Sequence, residues 1–368
     1  MPSIKTLLVS STILYLSAIV MMKLYMILAG KGFGVTVFNH YPGECRVIPN
    51  LECGSEDVAV TKDGLAFISN GFRGLTGCDR KTITGNIYLF DYKNPSANVT
   101  KVEIISTSID LKEFEPHGLS VWEDGEGVVF LFAVDHGVSE RVQLFEYRRN
   151  NPGRLQHKET IMHEKFICLN DLVALGKSSF YITNFLKYCK TAHIALMLES
   201  QLALPTGDVV YYDGGDAAVV GSGLKMPNGV NLSPDRRHLY VTASSQESLL
   251  VYKRNEQNGS IELVREFPLH TAVDNVEVDL DTGDLYIGAH RSYRLLLEDY
   301  NGTQPAPSHV LRIRPTDEKW SDAVVTEILS SDGFNFVRGS SVASFYKGGL
   351  LVGTVYHRLA YCQDVNIL

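Results

Sequence analysis

No block of lysine or arginine interrupts the body of this 368-residue chain, and its formal charge is -8. The basic footprint of a nucleic-acid binder is therefore missing, and no nucleic-acid partner is expected. There is no G-x-S-x-G elbow, which removes the nucleophilic-serine arrangement of the α/β-hydrolases. There is no HExxH and no clustered cysteine pattern, which argues against zinc. Long hydrophobic runs are missing too, except at the N-terminus.

That exception runs TLLVSSTILYLSAIVMM from Thr6 to Met22, then Lys23, then LYMILAG. Seventeen apolar or small residues are borderline for a membrane span, and the second run brings the segment to membrane length with one lysine able to snorkel. No tidy small-x-small cleavage site precedes Lys31, which favours an uncleaved anchor over a secretory signal. The division expected is a hydrophobic signal-anchor segment over 1–30, a linker over 31–44 and a folded body over 45–368. Lys5 and Lys23 flank the first run, so the positive-inside rule leaves orientation open. Six cysteines (45, 53, 78, 168, 189 and 362) and the sequons at Asn98, Asn258 and Asn301 favour a lumenal or extracellular body, in the endoplasmic reticulum, at the plasma membrane or secreted. A fourth sequon, at Asn231, runs into LSPD at a turn and is a poor acceptor.

From Glu56 onward one phrase keeps returning: EDVAVTKDGLAFISN, PHGLSVWEDGEGVVFLFAVDH, LNDLVALGKSSFYITN, PNGVNLSPDRRHLYVTAS, VDNVEVDLDTGDLYIGAH and GSSVASFYKGGLLVGTVYH. Each is a polar entry, a short apolar strand, a turn rich in Gly, Asp or Pro, and a second apolar strand. Glu56, His117, Asn170, Asn228, Asn275 and Ser340 mark the phase, 47 to 65 residues apart. Six such units predict an all-β fold, a six-bladed β-propeller whose entry strands line one central channel. Asp and Asn are poor strand formers, so their recurrence at the entries is expected to form a ring at the channel mouth. Carboxylate and amide oxygens of that kind suit Ca²⁺, with Glu56, Asn170, Asn228, Asp274 and Asn275 as candidate ligands. His117 and His136 begin and end the second hairpin, where an imidazole can accept a proton from water.

In GSEDVAVTKDGLAFISNG, EPHGLSV, LNDLVALG, PNGVNLSPDRRHLYV, VDNVEVDLDTGDLYIG and GSSVASFYKGGLLVGTVYHRLAYC, the chain closely resembles the paraoxonase/arylesterase family across 45 to 362. That resemblance implies a six-bladed propeller closed by joining the N- and C-terminal strands, here with an N-terminal hydrophobic anchor. It implies two calcium ions: a catalytic one on Glu56, Asn170, Asn228, Asp274 and Asn275, and a deeper one on Asp57, Asp171 and the backbone carbonyl of Leu119. It also implies His117 as general base with His136 beside it, a Cys45–Cys362 bridge, and hydrolysis of lactones and aryl esters. Cys168 with Cys189 is a candidate second bridge; Cys53 and Cys78 are left without an assignment.

Two departures matter. The family's TNDH stretch reads Thr183, Asn184, Phe185, Leu186 here, removing an aspartate expected to tune His136. The strongly hydrophobic N-terminus points to membrane attachment, and the family includes channel-assembly proteins. The alternative expectation is therefore a membrane-anchored lumenal assembly factor or chaperone for a membrane protein or ion channel, with weak or absent activity.

Overall fold

In the computed structural model the described residues are 36–51, 53–71, 84–189, 193–291, 293–300, 304–355 and 357–365, with scattered positions between 14 and 22. Among them lie six separate antiparallel-based sheets arranged as blades, five of four strands and one of five. The recurring phrase supplies the two inner strands of each blade. Val58–Val60 pairs with Leu65–Asn70, Pro116–Glu123 with Val128–Asp135, and Leu169–Ala174 with Phe180–Asn184. Pro227–Leu232 pairs with His238–Ala243, Ala272–Val278 with Leu285–His290, and Ser340–Tyr346 with Gly349–Thr354.

The second strands read as unbroken apolar runs because both of their faces are buried. In VVFLFAVD, Val128, Phe130, Phe132 and Val134 pack with the third blade's Leu172, Phe180 and Ile182. The alternate residues Val129, Leu131 and Ala133 face Phe67 and Ile87 of the first blade. Period-two alternation thus glues each blade to both neighbours.

The polar entries are not ordinary turns. Register shifts fall between Pro116 and Leu119, Leu169 and Leu172, Pro227 and Val230, Val273 and Val276, and Ser340 and Val342. These are β-bulges at the same phase of five blades, and each re-aims its two or so central residues toward the channel. Neighbouring bulges pack backbone to backbone, which is why two of them carry glycine. A Cβ on Gly118 would sit 2.5 Å from the Asn170 carbonyl oxygen, and one on Gly229 would sit 2.6 Å from the Val276 nitrogen.

The expected closure needs correction. Glu44–Val47 does pair with Ala360–Gln363, with Cys45 opposite Cys362 and bonded to it. That pairing adds an outer strand to the sixth blade; among the described residues no sheet closes on itself by hydrogen bonds, and the six open sheets are held to one another by side-chain packing and by local hydrogen bonds such as the reciprocal pair between Ser55 and Thr354. The anchor expected over residues 1–30 lies almost wholly outside the described residues. Among the described residues no helix is long and apolar enough to cross a membrane.

Candidate functional site

The bulges bring the expected site residues together in the channel, where Glu56, Asp57, His117, Asn170, Asp171, Asn228, Asp274 and Asn275 are all buried. Their supports come from the second strands. Ser69 accepts the Asp57 N–H at 3.0 Å and Thr183 the Asp171 N–H at 3.1 Å, while Thr183 and Thr242 donate across to the Asn228 and Asp274 carbonyls of the next blade. These hydroxyls stand in FISN, YITN and YVTA, a repeated Ser/Thr in the second strand that the sequence displays but whose role shows only once the bulge is seen.

The two histidines form a directed chain. His117 Nδ1 lies 2.9 Å from His136 Nε2, and His136 Nδ1 lies 3.1 Å from both carboxylate oxygens of Glu140. Glu140 Oε2 also accepts the Leu169 N–H at 2.7 Å, and on the far side His117 Nε2 lies 3.3 Å from Glu56 Oε2. Because an ionised carboxylate only accepts, Glu140 assigns the proton to His136 Nδ1; His136 Nε2 then accepts from His117 Nδ1–H. The lone pair is left on His117 Nε2, facing the channel ring. Glu140 was missed in sequence although it stands four residues after His136, because His136 directly follows a strand that ends at Asp135 and nothing in a strand pattern makes an i, i+4 neighbour adjacent.

Burial sets the electrostatics. It lowers the affinity of His117 for a proton below the ordinary imidazole value, with Asp274 and Asp57 opposing that shift. Burial and then repulsion from Asp274 push Glu56 well above the usual carboxylate range. Asp57 is pushed up to about 7 by burial and then by Glu56, and Asp171 well up by burial and then by Asp57. Glu277, further along the channel, rises for the same reasons, burial first and Asp57 second.

The expectation of two bound calcium ions is overturned. Among the described residues no group of three or more His, Cys, Asp or Glu side chains is gathered so as to hold a metal ion. The expected carboxylates are already engaged. Asp57 accepts N–H groups from Val58 and Leu119, and Asp171 from Leu172 and Val230. Leu119, expected to offer its carbonyl, thus presents its amide to Asp57. Asp274 Oδ2 lies 2.6 Å from His290 Nε2, a channel histidine not singled out in sequence, and Glu56 Oε1 accepts the Asn275 amide at 3.0 Å. What remains open is a set of acceptors from separate side chains: the buried Oδ1 atoms of Asn170, Asn228 and Asn275 and Oε2 of Glu56 have no aligned donor.

The structure places Phe185 in an apolar setting. It packs with Cys189 and Leu196 against Cys168, Leu186 and Met226, a small apolar cluster beside the ring. Cys168 is bonded to Cys189, Cys53 is also disulfide-bonded, and among the described residues no cysteine is free. A cleft of about 460 Å³ borders the dyad's carboxylate, lined by Glu140, Met162, Phe166 and Ile167 among others. Asn98 and Asn258 are exposed, Asn231 is tied inward by donating to the Val276 carbonyl at 3.0 Å, and Asn301 lies outside the described residues.

The six-bladed propeller with its polar channel, together with the family and relatives the chain matches, is that of a hydrolase-type enzyme class. The chain belongs to the arylesterase family, whose model matches residues 38–364. It is 33% identical over 322 residues to human serum paraoxonase/arylesterase 1, covering 87% of this chain and 88% of that one. It is 34% identical over 325 residues to rat serum paraoxonase/lactonase 3, covering 88% and 89%. Among solved structures, a luciferin-regenerating enzyme overlies 87% of this chain and 94% of its own with a TM-score of 0.53 at 12% identity, which is a likeness of fold.

Proposed function

We propose that this protein hydrolyses lactones and aryl esters with water activated by His117. The observation that carries the reading is the unbroken contact from His117 through His136 to Glu140. His117 Nε2 takes a proton from water as the oxygen attacks the ester carbonyl carbon; the imidazolium that forms is stabilised through His136 by the Glu140 carboxylate. When the tetrahedral intermediate collapses, the carbon–oxygen bond to the leaving group breaks and that oxygen recovers the proton from His117. In a lactone the leaving oxygen stays tethered, so the product is one hydroxy acid; an aryl ester gives an acid and a phenol.

The proposed setting is a propeller on the lumenal or extracellular side of a membrane, attached through the hydrophobic N-terminal segment. Exposed sequons at Asn98 and Asn258 and the bridged cysteines support it. The test is turnover of γ- and δ-lactones and phenyl acetate by the purified protein. Absence of any hydrolysis would remove the enzymatic reading and leave assembly of a membrane-protein partner as the role to pursue.

A further inference from the structure

The Cys168–Cys189 bridge spans 21 residues and lies far along the chain from the terminal pair, beside the histidine chain. Cys168 immediately precedes Leu169, whose N–H holds Glu140 at 2.7 Å. The approach to Leu169 is fastened to the strap of residues 184–189 at several points. The N–H groups of Ile167 and Cys168 donate to Asn184 Oδ1 at 2.9 and 3.2 Å, and the Phe185 N–H donates to the Cys168 carbonyl at 2.7 Å. The strap is anchored in turn from the helix His193–Gln201. Its buried Glu199 accepts the Lys187 and Tyr188 N–H groups at 2.7 and 2.9 Å. The disulfide ties the far end of this anchored strap covalently to the residue before the Leu169 amide.

We propose that the Cys168–Cys189 bridge is a positioning element for the hydrolytic histidines. It fixes the backbone at Cys168 and Leu169, the Leu169 amide fixes Glu140, and Glu140 fixes the tautomer and orientation of His136 and so of His117. The apolar cluster containing Phe185 is the packing that seats this strap. The inference rests on the His117–His136–Glu140 reading of the site, and it assigns the bridge a task beyond fastening a loop.

The test compares wild type with C168S/C189S, and with C168V/C189A, which refills the apolar cluster without the bond. Hydrogen–deuterium exchange is followed in peptides containing Leu169, with Glu140→Ala giving the exchange of an amide that has lost its acceptor. In both bridge variants Leu169 should exchange as fast as in Glu140→Ala, while strands of distant blades keep wild-type protection. On phenyl acetate kcat should fall by about tenfold to a hundredfold with KM changed by less than about twofold, the pattern of lost positioning rather than lost binding. A protected Leu169 amide and an unchanged kcat in a variant whose thermal midpoint has fallen would reduce the bridge to a structural strut and overturn the proposal. The exchange readout needs no turnover. Fast Leu169 exchange in a protein whose wild type hydrolyses nothing would uphold the mechanical link and defeat the hydrolase reading, whereas slow exchange in an active wild type and variant alike would do the reverse.

Discussion

Replacing Glu140 by glutamine separates charge from shape at the end of the histidine chain. The glutamine carbonyl oxygen, placed where Oε2 now lies, can still accept from Leu169, at 2.7 Å, and from His136 Nδ1, at 3.1 Å. What disappears is the negative charge that stabilises the imidazolium pair as the water proton is transferred, together with the second acceptor at the Oε1 position, 3.1 Å from His136 Nδ1, where the amide nitrogen now stands. A hydrogen bond to a charged partner is worth about 1.5–3 kcal/mol against about 0.5–1.5 for a neutral one. The loss in the transition state is then about 1–1.5 kcal/mol, or roughly tenfold in kcat. Glu140→Ala also forfeits both acceptors and releases His136 to the wrong tautomer, so its kcat should fall by about a hundredfold or more. Steady-state kinetics on phenyl acetate and a δ-lactone, with the thermal midpoint measured alongside, separate the two variants. Wild-type kcat in Glu140→Ala, or an effect confined to KM, would refute the assignment of Glu140 as the group that sets the tautomer.

Other expectations follow from the same geometry. Burial holds the His117 proton affinity below its ordinary value of 6.5, so the base form persists at neutral pH; kcat/KM should be flat near pH 7 and fall only as pH drops below 6.5. An acid limb lying above 6.5 in the rate profile would contradict that environment. The Cys45–Cys362 bond closes a separation of 317 residues, and the loop-entropy relation gives it roughly 6 kcal/mol. Spread over an unfolding entropy of about 2.1 cal/mol/K per residue, C45S/C362S should lower the midpoint by roughly 8–9 °C, which calorimetry would read. Phe185→Asp should destabilise by about 2 kcal/mol or more, since it places a carboxylate in the apolar cluster around Cys168 and Met226, and it should not raise turnover. A gain in lactonase activity would mean that the aspartate reaches the histidines after all.

The six-unit period was legible because buried inner strands must be apolar and their entries are polar in the same phase each time. The convergence of Glu56, His117, Asn170, Asn228 and Asp274 on one channel could be read from that phase. The means of convergence could not, because a β-bulge is a property of pairing between strands: Asp274 and Asn275 look like a turn until Val273 and Val276, three residues apart, are seen to pair with Ala289 and Ile287, two apart. Glu140 was hidden for a related reason, since its partners His136 and Leu169 belong to two different blades. The calcium expectation failed because, among the described residues, the fold gathers no three acidic, histidine or cysteine side chains at one point. Ligand types can be counted in a sequence, but the backbone amides of Leu119 and Val230 that engage Asp57 and Asp171 are brought there by the fold. The apolar setting of Phe185 was likewise invisible, because Met226 and Leu196 come to it from distant segments.

In the proposed reaction His117 removes the proton from the attacking water. Turnover of γ-lactones, δ-lactones and phenyl acetate by wild type and His117→Gln, matched for thermal midpoint, tests it most directly. Wild type should hydrolyse the panel measurably, and kcat should fall by roughly 10²- to 10⁴-fold in His117→Gln. Equal turnover in the two proteins, or no hydrolysis by wild type on any member of the panel, would contradict it.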